Sequence, residues 1–125
     1  MFKYYNPNPM NKRVGDCVIR AISKALDWEW NDTYTALCLQ GYVMSDLPSS
    51  NQIWGAFLRK QGFIRQVIPN ECPDCYTVED FCKDHPTGIY VLGTGSHAIC
   101  CIDGCVFDAW DSSGEQPIYY YEKGE

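Results

Sequence analysis

Cys17, His97 and Asp108 could together carry out nucleophilic chemistry. Gly15-Asp16-Cys17 precedes a stretch with helical apolar periodicity, which predicts that the thiol lies in the first turn of a helix. Unpaired N–H groups and the positive end of the helix dipole lower the pKa of a thiol there and favour the nucleophilic thiolate. The same N–H groups could stabilise an oxyanion on an attacked carbonyl. Cys17 is therefore the candidate nucleophile, with a buried core thiol as the competing interpretation.

His97 is the candidate base. It follows the loop Gly93-Thr-Gly-Ser96, which is flexible enough to bring an imidazole to another element, and it opens a strand-like segment. The second histidine, His85, precedes Pro86 and is expected to be a capping or surface residue. A histidine beside a thiol can accept its proton and later protonate a leaving group.

A predicted hairpin brings a carboxylate to His97. Asp103-Gly104 is typical of a two-residue turn, which would pair residue 102 with 105 and residue 97 with 110. Asp108 then lies diagonally opposite His97 on the same face and could accept its Nδ1–H, which would fix the tautomer. Asp111 is the alternative, since a twist or bulge at the strand end could bring it round from the opposite face.

These segments together resemble papain-like cysteine peptidases. A cysteine opens an N-terminal helix, a histidine opens a late strand, and Asp108-Ala109-Trp110 lies on the next strand. The resemblance implies that Asp108 is the third triad member and that Trp110 shields the pair beside the substrate. It also implies that Asn11, six residues before Cys17, donates to the oxyanion. The implied reaction is cleavage of a peptide or isopeptide bond in a protein or peptide substrate, through a thioester and without a cofactor or metal.

The chain departs from the larger members of that family. Gly15-Asp16 precedes the nucleophile, and only 80 positions (97 minus 17) separate the cysteine from the histidine. These features are similar to those of small bacterial and phage-encoded peptidases and of bacteriocin-processing peptidase domains. They leave the substrate unspecified, because the loops that shape subsites in larger members are missing or different.

Helical periodicity dominates the first half and strand periodicity the second. Four helices are predicted, over Asp16 to Leu26, Asn31 to about Gln40, Ser50 to Gly62, and from Thr77 to before Pro86. Four strand segments follow, Gly88-IYVL, His97-AICCI, Cys105-VFDAW and Pro117-IYYY. We therefore expect a single papain-like α+β domain over residues 1–125, with N-terminal helices packed on a short antiparallel sheet.

The overall charge limits the partners. With 125 residues and a net charge of −6, the chain lacks the basic face that nucleic acids and anionic membranes require. No apolar run approaches the ~18 residues of a membrane span, and the first residues lack the apolar core of a secretory signal. A cytoplasmic location is expected, and the oligomeric state stays open.

Eight cysteines leave alternatives to an enzyme. Cys72-Pro-Asp-Cys75 has the spacing of half a zinc site or of a redox dithiol. Cys38, Cys82 and one of Cys100 and Cys101 are expected to fill the core as free thiols. The alternatives are a zinc-stabilised binding domain without activity and an acyltransferase that uses the same cysteine and histidine.

Overall fold

The computed structural model describes residues 1–69 and 75–124, which form four helices and a six-stranded open sheet. The α+β class predicted from the sequence is confirmed. The helices are α1 (Cys17–Leu26), α2 (Trp30–Met44), α3 (Asn51–Lys60) and α4 (Val78–Asp84). The strands are β1 (Phe2–Tyr4), β2 (Phe63–Val67), β3 (Ile89–Gly93), β4 (Ala98–Ile102), β5 (Cys105–Asp108) and β6 (Tyr119–Lys123).

The sheet is mixed, with the order β1-β5-β4-β3-β6-β2. The expectation of a purely antiparallel sheet is wrong at one edge, where β1 pairs in parallel with β5. Sequence periodicity missed both edge strands. β1 has three residues, too few to establish alternation, and β2 follows directly after a helix, where four of its five residues are exposed. Pairing with β6 therefore decides the conformation of β2.

The central hairpin has the predicted register. Asp103 and Gly104 both have positive φ, 49° and 77°, as a type I′ turn requires. Ile102 pairs with Cys105 and Cys100 with Phe107. This register fixes which residues of β5 lie beside the start of β4.

Helix α2 extends beyond its predicted end. The helix was expected to end near Gln40, but it continues to Met44 and is capped by Ser45 in the left-handed region, φ 57°. A Cβ at Gly41 would lie 2.6 Å from the Asp46 carbonyl oxygen, so the glycine lets the following chain fold back against the helix. Glycine more commonly ends a helix, but Gly41 lies within α2 and allows close packing of the following chain.

The helices cover both faces of the sheet. One core cluster joins α1, α2 and α3 to the sheet through residues such as Ile22, Trp54 and Cys100. The other joins α4 to the opposite face through residues such as Phe81 and Cys101. Adjacent residues of β4 therefore enter different cores, and α1 packs closely on β4. This packing brings the first turn of α1 to the start of β4.

The helices in the described parts of the chain are too short or too polar to span a membrane.

Candidate active site

Cys17 is the first residue of α1, as predicted, and its side chain is half-buried. The first N–H groups of a helix have no intrahelical partner. The thiol therefore lies where the backbone can stabilise negative charge on the sulfur or on a bound oxygen.

The surroundings of Cys17 favour the thiolate. Burial of the thiol raises its pKa, but hydrogen bonds from His97 and from the Ala98 backbone N–H outweigh this effect. The positive charges of His97 and Arg20 act in the same direction, so the pKa of Cys17 is lowered overall. The structure thus brings His97 and Cys17 together from segments far apart in the chain.

His97 is oriented by Asp108. Its Nε2 lies 2.8 Å from Asp108 Oδ2, whereas the sequence analysis assigned the carboxylate to Nδ1. The predicted partner residue is correct, but the predicted ring nitrogen is wrong. Because Nε2 bonds Asp108, Nδ1 is the nitrogen that is left for the thiol. Burial lowers the pKa of His97, but hydrogen bonds to Asp108 and Cys17 and their negative charges raise it to about 9.

Asp108 is held from four directions. Its side chain is 1% exposed, and it accepts hydrogen bonds from His97, Ser112, Ala109 and Arg20. Ser112 Oγ donates at 2.6 Å, the Ala109 N–H at 2.7 Å and Arg20 Nε at 2.9 Å. Burial raises the pKa of Asp108, but the hydrogen bonds from His97 and Ser112 and the charge of Arg20 lower it overall. The carboxylate is therefore ionised and fixed in position.

Arg20 connects α1, the helix that begins with Cys17, to this carboxylate. Its guanidinium lies 2.6 Å from Asp16 Oδ1 and 2.9 Å from Asp108 Oδ1, and the residue is 6% exposed. A charged residue of an amphipathic helix normally faces solvent, so the burial of Arg20 depends on its two carboxylate partners. Asp16 also accepts a hydrogen bond from Trp30 Nε1 at 2.9 Å. The i,i+4 spacing of Asp16 and Arg20 was the one sequence signal for this cluster.

Trp110 and Asp111 take different roles. The Trp110 ring packs against the His97 ring with centroids 5.0 Å apart, and Trp110 remains 46% exposed. Asp111 is exposed and accepts hydrogen bonds from the backbone and side chain of Ser113. The described contacts of His97 thus select Asp108 over Asp111 as its carboxylate partner.

Two recesses meet at Cys17 and His97. The helix recess, of about 420 Å³, lies between the starts of α1 and β4 and is lined by apolar side chains of Ile19, Tyr34, Leu37, Pro48 and Trp54. The Trp110 recess, of about 480 Å³, is lined by Asn6, Arg13, Val14, Ala109 and Trp110 among others. Cys17 and His97 line both, so the pair lies where the two recesses adjoin.

Asn11 is the predicted site residue that the structure does not bring to Cys17. It is exposed, has a φ of 55°, and lines neither recess. The resemblance implied its role from its six-residue spacing to Cys17, but its side chain is exposed and its Oδ1 accepts a hydrogen bond from Asn6 Nδ2 at 3.5 Å. Asn6 lines the Trp110 recess instead, with its Nδ2 donating to the Lys12 carbonyl at 3.2 Å.

The remaining candidates lie elsewhere. His85 caps α4, bonds the Phe81 carbonyl through Nδ1 at 2.9 Å and stacks on the Phe81 ring, as a capping residue should. Cys82, Cys100 and Cys101 are buried. Cys38, expected in the core, is only half-buried and lines the helix recess.

The Cys72-Pro-Asp-Cys75 segment falls largely outside the described residues, because Cys72 is not among them. Within residues 1–69 and 75–124, no group of three or more His, Cys, Asp or Glu side chains is placed to hold a metal ion. The described part of the chain therefore offers no set of ligands for the zinc-site alternative.

Comparisons with protein-family models, with curated proteins and with solved structures found no match to this chain.

Proposed function

We propose that this protein is a papain-like cysteine hydrolase that cleaves peptide or isopeptide bonds. The observation that carries the proposal is the Cys17–His97–Asp108 arrangement, in which Cys17 and His97 line two adjoining recesses and the buried Asp108 lies behind His97. His97 Nε2 lies 2.8 Å from Asp108 Oδ2, and the imidazole is near enough to Cys17 to lower the pKa of the thiol. A nucleophile, a base and a group that orients the base are the components of a catalytic triad.

The opposite shifts of two pKa values support this assignment. The pKa of Cys17 is lowered and that of His97 is raised to about 9. The resting pair is therefore a thiolate and an imidazolium over a range of pH. Perturbed titrating groups in a cleft are typical of catalytic sites.

In the proposed acylation step, the Cys17 thiolate attacks the carbonyl carbon of a substrate amide. The carbon–sulfur bond forms and the carbonyl electron pair moves to oxygen, next to the first N–H groups of α1. The carbon–nitrogen bond then breaks as the imidazolium of His97 protonates the leaving amine. The product is a thioester on Cys17 and a free amine.

Deacylation returns the enzyme to its starting state. Neutral His97 takes a proton from a water molecule, whose oxygen attacks the thioester carbon. The carbon–sulfur bond breaks, which releases the carboxylic acid and regenerates the thiolate–imidazolium pair. Asp108 remains ionised throughout, and its hydrogen bond to Nε2 fixes the orientation of the imidazole and leaves Nδ1 to exchange the proton.

The papain-like fold is part of the proposal. A helix that begins with the cysteine packs on the sheet whose strands present the histidine and the aspartate, and this arrangement resembles the family's two-sided cleft. Trp110 packs on His97, as the resemblance implies for the tryptophan two residues after the third triad member.

The test is hydrolysis of a mixed peptide library by the purified chain, with products and any acyl-enzyme identified by mass spectrometry. Wild-type protein should cleave a subset of peptides and accumulate a thioester adduct on the peptide that contains Cys17. Cys17→Ala and His97→Ala should lose at least about 10³-fold in rate, as expected when a member of a catalytic triad is removed. Cys38→Ala is the matched control, because it removes the other thiol of the helix recess and should retain activity.

Transfer to an added amine in place of water would identify an acyltransferase that uses the same thioester. Activity that survives Cys17→Ala would overturn the proposal. So would a well-folded wild-type protein that forms no adduct on Cys17 with any member of the library.

A further inference from the structure

The Trp110 recess contains an exposed cation beside the reactive pair. Arg13 lines it together with Asn6, Trp110, Cys17 and His97. The other arginine of the recess, Arg20, is buried and committed to Asp16 and Asp108. Arg13 is thus the exposed arginine of this recess, next to the partly exposed His97.

The guanidinium of Arg13 retains its capacity to bind an anion. The ion pairs found among residues 1–69 and 75–124 involve Arg20, Lys83 and His97, and none involves Arg13. One of its N–H groups donates to the Ala109 carbonyl at 3.4 Å, and its guanidinium carbon lies 6.0 Å from the centroid of the Tyr4 ring. These contacts hold the side chain at the recess and leave most of its five donors for a ligand.

The rest of the recess is suited to an anionic group. It opens at the N-terminus of the ten-residue helix α1, whose dipole adds positive potential. Asp16, the acidic residue that lines it, is 5% exposed and bonded to Arg20 and Trp30. Among the residues that the structure describes, no exposed carboxylate lines the recess to compete with a ligand for Arg13.

We propose that Arg13 makes the Trp110 recess a subsite for a carboxylate on the substrate, next to the bond that is cleaved. This inference rests on the proposed function and specifies its substrate class as acyl compounds that carry an acidic group on this side of the cleft. A guanidinium can bind a carboxylate through two parallel hydrogen bonds, which gives both attraction and orientation.

The test compares two alkylating reagents of similar size at Cys17, iodoacetate and neutral iodoacetamide. The sulfur displaces iodide from either reagent and forms a carbon–sulfur bond, so only the reagent's charge differs. Rates are measured on the Cys17 peptide by mass spectrometry at low ionic strength. Arg13→Gln should slow iodoacetate about fivefold, the effect of losing one exposed charge pair, and leave the iodoacetamide rate within about twofold.

Two further variants make the result specific. Arg13→Lys keeps the charge and should retain most of the iodoacetate rate. Lys12→Gln removes the neighbouring exposed charge, which lies outside the recess, and should change neither rate by more than about twofold. An equal effect of Lys12→Gln, or an unchanged reagent ratio in Arg13→Gln, would overturn the inference.

Peptide substrates distinguish the two sources of a carboxylate. Cleavage of peptides with an internal glutamate and an amidated C-terminus is compared with cleavage of neutral peptides that end in a free carboxylate. If wild-type protein prefers one of the two sets and Arg13→Gln abolishes that preference, the subsite is supported and the source of the carboxylate is identified. Equal cleavage of both sets and of a fully neutral peptide contradicts the subsite. Slow alkylation of wild-type Cys17 by both reagents would instead contradict the proposed function itself.

Discussion

At the scale of single residues, Cys17 and His97 shift each other's pKa in opposite directions. The hydrogen bond and charge of His97 help to lower the pKa of Cys17 against the effect of burial. Asp108 and Cys17 together raise the pKa of His97 to about 9 against the same effect. The ion pair therefore exists above the lowered pKa of the thiol and below about pH 9.

This coupling predicts the pH dependence of Cys17. In wild-type protein, the rate of Cys17 alkylation by iodoacetamide should already rise at pH values below about 8.5, the pKa of an ordinary thiol. The reason is that the lowered pKa of Cys17 lets the thiolate form at these pH values. Hydrolysis should decline as the pH rises through about 9, because the imidazolium proton needed by the leaving amine is lost. The measurements are the alkylation rate of the Cys17 peptide and the rate of peptide hydrolysis, each from pH 4 to 10.

In His97→Ala, the alkylation midpoint should move up towards that of an ordinary thiol. Cys105 is half-buried and next to a turn, and it serves as an internal reference in the same digest. A midpoint that is the same in wild type and His97→Ala would mean that the histidine does not stabilise the thiolate.

At the scale of elements, the site depends on how α1 is fixed to the sheet. Arg20 on α1 bonds Asp16, which precedes the nucleophile, and Asp108 at the end of β5. These charges are almost fully buried, with side chains between 1% and 7% exposed. A buried charge is stable only with its partners, so the cluster sets the position of Cys17 relative to His97.

Arg20→Met should therefore destabilise the protein by about 3 kcal/mol or more, because it leaves two buried carboxylates without their cation. The free energy of unfolding is measured by urea denaturation at pH 7. Lys60→Met is the control, since Lys60 is exposed in the last turn of α3, and its effect should stay within about 0.5 kcal/mol.

The free energy of unfolding of Arg20→Lys should lie between those of Arg20→Met and Lys60→Met. This variant keeps the charge, but an ammonium cannot bond both carboxylates in the geometry of a guanidinium. If Arg20→Met proved as stable as Lys60→Met, the cluster would not hold α1 on the sheet.

At the scale of the whole molecule, folding depends on an ionised carboxylate inside an α+β core. The pKa of Asp108 is lowered in the folded protein, with burial opposing the hydrogen bonds and charges that lower it. A group with a lowered pKa stabilises the fold above its unfolded pKa, about 3.9, and this contribution is lost as the pH falls through the folded value.

Asp108→Asn should remove this dependence. The variant should have a lower free energy of unfolding than wild type at pH 7. The difference between the two free energies should become smaller as the pH falls below about 4. Urea denaturation at pH 7, 4 and 3 measures it, with the exposed Asp27→Asn as the control. If the difference in the free energy of unfolding between wild type and Asp108→Asn stayed constant across these pH values, Asp108 would not be ionised in the folded protein as inferred.

Local sequence patterns were enough to predict the central elements. The apolar periodicity of α1, the cap of α4 and the Asp103-Gly104 turn are set by residues close in the chain, and each appears where expected. Because a two-residue turn fixes the register, the same patterns placed Asp108 beside His97.

Tertiary structure decided what depends on partners distant in sequence. The parallel pairing of β1, the strand β2 and the burial of Arg20 arise from contacts with β5, β6 and Asp108, which no local pattern encodes. The same holds for the use of Nε2 by His97 and for the outward position of Asn11. Local chain geometry is short in range, so the sequence identified the candidate site residues, while packing determined which of their atoms meet.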